Sequence, residues 1–341
     1  AAALAVLSEP FDIAGSEVEI GASIGVALRP SHGRDLSELM KAADVAMYFA
    51  KESGRGRVER FGIALADQLN ARAMLDRDLR QAVTHGQFEL MYQPQVAASD
   101  SRIVGAEALL RWRHPTEGLK PAVQFIKRAE ETGLIVEIGD WVVDTVAATL
   151  SRWAAAGVEQ RLSINLSARQ IDHVAFFRRL RSAMLAAGSP ARLLELELSE
   201  TLAMSCSDEA IAALAALRAD GATVAMDGFG TGYSNVARLR ALPLDRIKLD
   251  GSVVAPVATE ANARTVVHAL IGLIHGLGCE VVAEGVEHPA QAEVLRVMGC
   301  DVLQGYAIAA PMAEHEFLGW TRTHAGSAAT AQPSARPSTA A

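Results

Sequence analysis

The chain is poor in cysteine. Its three, Cys206, Cys279 and Cys300, form no CxxC pair. That pattern argues against a disulfide framework and a zinc ribbon, and points to buried or free thiols in a reducing compartment. A long apolar run is also missing. The most hydrophobic stretch, Val266 to Ala283, is broken by His268, His275 and Glu280, so it reads as core and not as a bilayer span. No signal peptide is recognisable. Positive charge is in deficit: 32 Lys and Arg against 40 Asp and Glu give a net charge of −8. That is the wrong sign for a partner made of double-stranded nucleic acid. No GxGxxG follows the first strand-like run of the repeating region, and the glycine-rich loop lacks the GK[ST] of a P-loop. The chain has no initiator methionine and begins inside a helix-like Ala1-Ala-Ala-Leu-Ala-Val-Leu7, so it reads as part of a longer protein.

What is present suits a folded chain. Of 341 residues, 50% are hydrophobic and 21% charged, which is incompatible with wholesale disorder. Residues 1–61 read as a small α/β piece. Val18 to Leu28 alternates with glycine interruptions, as a strand does. Leu36, Leu39, Met40, Ala43 and Met47 fall on one helical face. Residues 62–84 predict a connecting helix. From 85 to 322 short apolar runs alternate with helical stretches, which predicts a parallel sheet closed as a (β/α)₈-type barrel. Residues 323–341 are Ala, Ser, Thr and Pro for the most part and predict a disordered tail.

In such a barrel the chemistry sits at the carboxyl ends of the strands. Those ends read Glu107, Asn165, Glu197, Asp227, Lys248, Glu284 and Gln304. Several ionised carboxylates in one cleft repel one another, and a divalent cation relieves that. The donors are all hard oxygens, which favours Mg²⁺ or Mn²⁺ over zinc. A lysine among them can hold a water or neutralise a phosphate. The set suits metal-assisted hydrolysis of a phosphate ester. The loop Gly228-Phe-Gly-Thr-Gly-Tyr-Ser234 reads either as a phosphate cradle or as a tight turn, and Glu200 as an acceptor for loop N–H groups.

Glu107-Ala-Leu-Leu-Arg-Trp112, Asn165-Leu-Ser167, Glu197-Leu-Ser-Glu200, Asp227-Gly-Phe-Gly-Thr-Gly232, Lys248-Leu-Asp250, Ala283-Glu-Gly-Val-Glu287 and Gln304-Gly-Tyr306, with Tyr92-Gln-Pro94 ahead of them, resemble the EAL-domain family of cyclic di-GMP phosphodiesterases. Ser23-Ile-Gly-Val26, Ala42-Ala-Asp-Val-Ala-Met-Tyr48 and Lys51-Glu-Ser-Gly-Arg-Gly-Arg57 resemble the C-terminal half of a GGDEF diguanylate cyclase domain. That domain's signature is absent from the chain, so this piece is expected to have no cyclase activity. The resemblance implies a modified, TIM-like (β/α)₈ barrel with one antiparallel strand. It implies Glu107, Asn165, Glu197 and Asp227 as ligands of a first cation, with Asp227 bridging to a second, and Glu284 as a second-cation ligand or general base. Lys248 matches the lysine that positions the attacking water; Glu107, Lys248 and Glu284 are thus the catalytic candidates. Arg111 matches a phosphate contact, Gln93 and Asp250 residues near the guanine and substrate, Glu287 and Gln304 further lining residues, and Glu200 the anchor of the glycine-rich loop.

One position departs from the family pattern. Asp-Asp-Phe-Gly-Thr-Gly becomes Asp227-Gly228-Phe-Gly-Thr-Gly232. The second Asp matches a ligand of the second cation, and glycine offers no oxygen. One Mg²⁺ or Mn²⁺ site is therefore expected intact and the other weakened, with a freer loop backbone. Two readings follow: a hydrolase that linearises cyclic di-GMP to pGpG, slowed by Gly228, or a receptor that binds cyclic di-GMP without cleaving it and signals to a protein partner. The resemblance also implies a homodimer through the barrel and a cytoplasmic location, with any membrane anchor upstream.

Overall fold

The computed structural model describes residues 2–7, 10–13, 16–18, 20–172, 174–232 and 235–330. Tyr233 and Ser234 of the glycine-rich loop and residues 331–341 of the expected tail lie outside them. The chain forms two compact units, up to Gln81 and from Ala82 onward, and the expected connecting helix, Ile63–Thr84, runs across that division.

The first unit holds strands β1 (Phe11–Ile13) and β2 (Ser16–Val18), paired antiparallel, and β3 (Ile24–Val26) and β4 (Val58–Arg60), paired parallel. Helix Leu36–Glu52 begins where the Asp35 carboxylate accepts from the Glu38 N–H at 2.9 Å. The single strand predicted from Val18 to Leu28 is divided: Val18 ends β2, where it pairs with Phe11, and Ile24–Val26 form β3. Gly25 marks the reason for its position. A Cβ there would lie 2.0 Å from the Ala43 carbonyl oxygen, so the helix packs directly on the strand backbone.

The second unit contains β5 (Phe88–Ala97), β6 (Ile103–His114), β7 (Gly118–Pro121), β8 (Arg161–Leu166), β9 (Leu194–Ser199), β10 (Thr223–Phe229), β11 (Arg246–Leu249), β12 (Glu280–Ala283) and β13 (Val302–Leu303). Pairing runs β5-β13-β12-β11-β10-β9-β8-β6, and a further β5–β6 ladder closes the ring. From β6 through β8 to β13 the ring is parallel. β5 runs antiparallel to both neighbours, as the resemblance implied, and β7 hangs outside the ring as a hairpin on β6. Helices Ile135–Ala155, Val174–Ala187, Asp208–Ala219, Ala261–Gly276 and Pro289–Val297 alternate with the strands.

Strand residues two apart share a face, and that periodicity sorts the barrel. Leu162, Ile164, Leu196, Leu198, Val224, Met226, Ile247, Leu249, Val281 and Ala283 join the apolar core. The side chains of Glu107, Glu197, Asp227 and Glu284 gather instead around Lys248. The last helix, Glu314–Thr330, differs from the predicted tail, since residues 323–330 continue it. Its first turns are held by buried Phe317, stacked on Trp153 at 4.8 Å, and alanine favours propagation beyond. Among the described residues no helix is long and apolar enough to cross a membrane.

Candidate active site

Parallel registry sets the side chains in place. Asn165 pairs with Glu197 across β8 and β9, and Gln93 lies opposite Glu107 across β5 and β6. At the centre stands Lys248, fully buried. Its Nζ lies 2.6 Å from Glu284 Oε1, 2.8 Å from Glu197 Oε2, 3.2 Å from Glu107 Oε2 and 3.8 Å from Asp227 Oδ1. Glu107 also accepts from Asn165 Nδ2 at 2.7 Å on Oε1 and from Gln304 Nε2 at 2.7 Å on Oε2.

These contacts explain the protonation preferences. Burial works against a charged Lys248, but the surrounding carboxylates outweigh it and hold its pKa well above the ordinary value. Burial likewise works to raise Glu107, yet the Lys248 charge and the bonds from Gln304 and Asn165 keep it below the usual carboxylate range. Glu197 goes the other way, raised by burial and by the nearby Glu107 carboxylate despite Lys248. Glu284 is pushed up to about 8, first by burial and then by Asp227 and Glu107, against the pull of Lys248.

The donor set fits a hard divalent cation. Every candidate ligand offers oxygen, and Glu197 Oε1 and Asp227 Oδ1 are buried with no hydrogen-bond partner. Such oxygens are costly to leave unsatisfied. No group of three His, Cys, Asp or Glu side chains among the described residues forms a ready cation cage; the carboxylates are gathered on the lysine instead.

A cavity of about 330 Å³ opens over this centre. Gln93, Glu107, Arg111, Asp227, Glu284, Glu287 and Gln304 line it, joined by Tyr306. Burial holds the half-buried Arg111 guanidinium below its ordinary pKa. Asp250 is elsewhere: its Oδ1 accepts from the Ser252 N–H at 2.8 Å and caps helix Gly251–Val254. Glu200 lies buried beneath the glycine-rich loop, and its Oε2 accepts from the N–H groups of Gly230 at 3.3 Å and Gly232 at 3.2 Å. A Cβ on Gly232 would come 2.9 Å from Glu200 Oε1, so the loop wraps this carboxylate closely. Gly228 adopts φ +73°, and an added Cβ there meets nothing within 4 Å. An aspartate at 228 would have room but a left-handed backbone.

Two features escaped the sequence. Glu195 and Arg246 form a second buried ionic layer below the first. Arg246 Nη1 donates to Glu195 Oε2 at 3.1 Å and its Nε to Glu280 Oε2 at 2.8 Å. They lie two residues before Glu197 and Lys248, so period-two counting from those residues finds them. Gln95, also buried, donates to Gln304, and the same counting from Gln93 along β5 places it on that candidate's face.

The fold and site together define a (β/α)₈-like barrel with one antiparallel strand and a carboxylate–lysine centre at its strand ends. The chain belongs to the EAL domain family, whose model matches residues 76–311, while residues 1–57 match the diguanylate cyclase GGDEF domain. It is 39% identical over 313 residues to the bifunctional diguanylate cyclase/cyclic di-GMP phosphodiesterase MucR of Pseudomonas aeruginosa, covering 92% of this chain and 46% of that protein. It is 34% identical over 315 residues to the cyclic di-GMP phosphodiesterase PdeR of Escherichia coli, covering 92% and 48%. The chain thus spans less than half the length of either relative. Among solved structures, the PaMucR phosphodiesterase in complex with c-di-GMP superposes with a TM-score of 0.69 at 38% identity, covering 72% of this chain and 99% of that one. The EAL domain of Mycobacterium smegmatis DcpA gives 0.60 at 31% identity, covering 69% and 98%.

Proposed function

We propose that the barrel hydrolyses cyclic di-GMP to linear pGpG with the help of Mg²⁺ or Mn²⁺, at a rate reduced by Gly228. One observation carries this reading. Four carboxylates converge within 3.8 Å of Lys248 Nζ, two of their oxygens are buried without a hydrogen-bond partner, and the cavity above them presents Arg111. The cation would be held by Glu107, Asn165, Glu197 and Asp227, and when bound it supplies charge for the phosphate and acidity for water. Arg111 receives the phosphate, and Gln93 and Glu287 border the rest of the nucleotide. Lys248, held protonated, donates from Nζ to the attacking water and keeps its carboxylate neighbours oriented. Glu284, its carboxyl pushed up to about 8 by burial, takes the water's proton at a carboxylate oxygen. Water adds to phosphorus, the P–O3′ bond breaks, and the leaving 3′ oxygen takes a proton from solvent.

Gly228 supports a second reading. With no side-chain oxygen at 228, only Asp227 and Glu284 would remain to hold a second cation, and the barrel would bind cyclic di-GMP as a receptor. Measuring pGpG formation with Mg²⁺ or Mn²⁺ for this chain and for Gly228→Asp decides between them. A hydrolase impaired at 228 turns over slowly and gains from aspartate. Equal rates in both would remove Gly228 from the account. Calorimetric binding of cyclic di-GMP without turnover in either would select the receptor.

A further inference from the structure

We infer that Gln95 is a positioning residue that clamps the Gln304 amide and, through it, orients the Glu107 carboxylate. The inference deepens the proposed function and rests on its assignment of Glu107 to the cation.

The β5–β6 ladder loses its regular register between Gln95 and Val96. Such irregularities re-aim the side chains beside them. Gln95 is buried, at 1% exposure, and its Nε2 donates to Gln304 Oε1 at 2.8 Å. Gln304 Nε2 then donates in two directions, to Glu107 Oε2 at 2.7 Å and to Gln93 Oε1 at 3.2 Å. An amide has one accepting and one donating end. Glu107 can only accept, so it demands the nitrogen of Gln304, and Gln95 supplies a donor to the oxygen left at the other end. The Gln304 amide is therefore held from both sides.

Room for this arrangement comes from Gly105, which pairs with Gln95. A Cβ at Gly105 would lie 2.9 Å from the Arg161 carbonyl oxygen and 3.2 Å from Gln95 Oε1. The consequence falls on Glu107. Its Oε2 is shared between Gln304 and Lys248, the latter at 3.2 Å. Release of Gln304 leaves Oε2 to Lys248 alone, and the carboxylate turns toward the lysine and away from the cation. Groups that orient a metal ligand from behind carry about 10- to 100-fold in metal affinity.

The test uses the full chain and four variants: Gln95→Met, which keeps volume and removes both amide groups, Gln95→Glu, which keeps shape and removes the donor, Gln304→Met, and the Gln95→Met/Gln304→Met double variant. Calorimetry measures Mn²⁺ affinity, pGpG formation measures kcat and KM for cyclic di-GMP, and thermal melting reads the fold. Both Gln95 variants should bind Mn²⁺ about tenfold more weakly, with kcat lowered and KM near that of the parent chain. The double variant should be no worse than Gln304→Met alone, because Gln95 acts through Gln304. A purely structural Gln95 would lower the melting temperature, leave Mn²⁺ affinity unchanged and add its cost to that of Gln304→Met; that result overturns the inference alone. A parent chain that binds neither Mn²⁺ nor cyclic di-GMP overturns the proposed function and this inference with it. A parent chain that binds both without turnover supports the receptor reading, and the Mn²⁺ comparison still decides the role of Gln95.

Discussion

Replacing Lys248 with methionine removes a buried ammonium and leaves its carboxylate neighbours in place. The side-chain volumes are similar, so little cavity is made and the change is chiefly electrostatic. Three carboxylate oxygens lie within 3.2 Å of Nζ, and Lys248 itself is fully buried. Withdrawing one partner from a buried ion pair costs about 3–5 kcal/mol, because the other partner keeps its desolvation penalty. For a unit of this size each kcal/mol moves the melting temperature by about 2–4 °C, which gives a drop of roughly 6–20 °C. The assay is a melt of Lys248→Met against the parent chain at pH 7.5, in EDTA and in Mn²⁺. The drop should be largest in EDTA. Added Mn²⁺ should recover part of it, since a cation at the carboxylates replaces the missing charge. A variant that melts within about 2 °C of the parent in EDTA would refute the reasoning. It would mean that the carboxylates are already neutralised by shared protons and do not depend on the lysine.

Glu284 predicts how the cation-free chain responds to pH. Its carboxyl is raised from 4.5 to about 8 by burial and neighbouring carboxylates, so between those values the folded state holds more protons than the unfolded one. The contribution of Glu284 is therefore stability that declines as pH rises through that window; denaturant titrations in EDTA should show the decline, and Mg²⁺ or Mn²⁺ should flatten it. Cys206, Cys279 and Cys300 are all buried, and burial pushes Cys300 up to about 12. A thiol reagent at pH 8 should therefore label none of them in the folded chain and all three after denaturation, and rapid native labelling at Cys300 would contradict the packing. Glu200→Ala removes the acceptor for the Gly230 and Gly232 N–H groups and should cost about 1–3 kcal/mol. Hydrogen exchange should quicken at those two amides first, and unchanged exchange there would show that the loop is held by something else.

The barrel was legible in the sequence because its strands obey two rules together. Runs such as Leu162 to Leu166 and Arg246 to Asp250 are short, apolar and capped by a polar residue, and helical spacing separates them. The polar ends therefore predicted a shared mouth, and Glu107, Glu197, Asp227, Lys248 and Glu284 do meet there. Hydrogen-bond partners were not legible in the same way. Gln95 and Gln304 are 209 residues apart, and no local pattern encodes a contact that only ring closure creates. Asp250 shows the converse. The resemblance placed it near the substrate, yet β11 ends at Leu249 and Asp250 stands at the start of the next helix, where its carboxylate accepts from the Ser252 N–H. The helix across residues 323–330 was missed because composition alone weighs alanine with serine and threonine, whereas a helix already anchored by Phe317 propagates cheaply through alanine.

The antiparallel strand has a consequence for how the protein is made. β5 is the first strand of the ring to leave the ribosome, and β13, which it must meet, is the last. Val96 waits for Leu303, so closure is among the most non-local contacts the chain makes and is expected to come late in folding. Until then both edges of the nascent sheet are open to strangers. The bonds from Gln95 and Gln93 to Gln304 cross this same seam, so the mouth of the barrel is completed only when the ring is sealed. A chain released before its last strand would carry most of the acidic residues and no finished site.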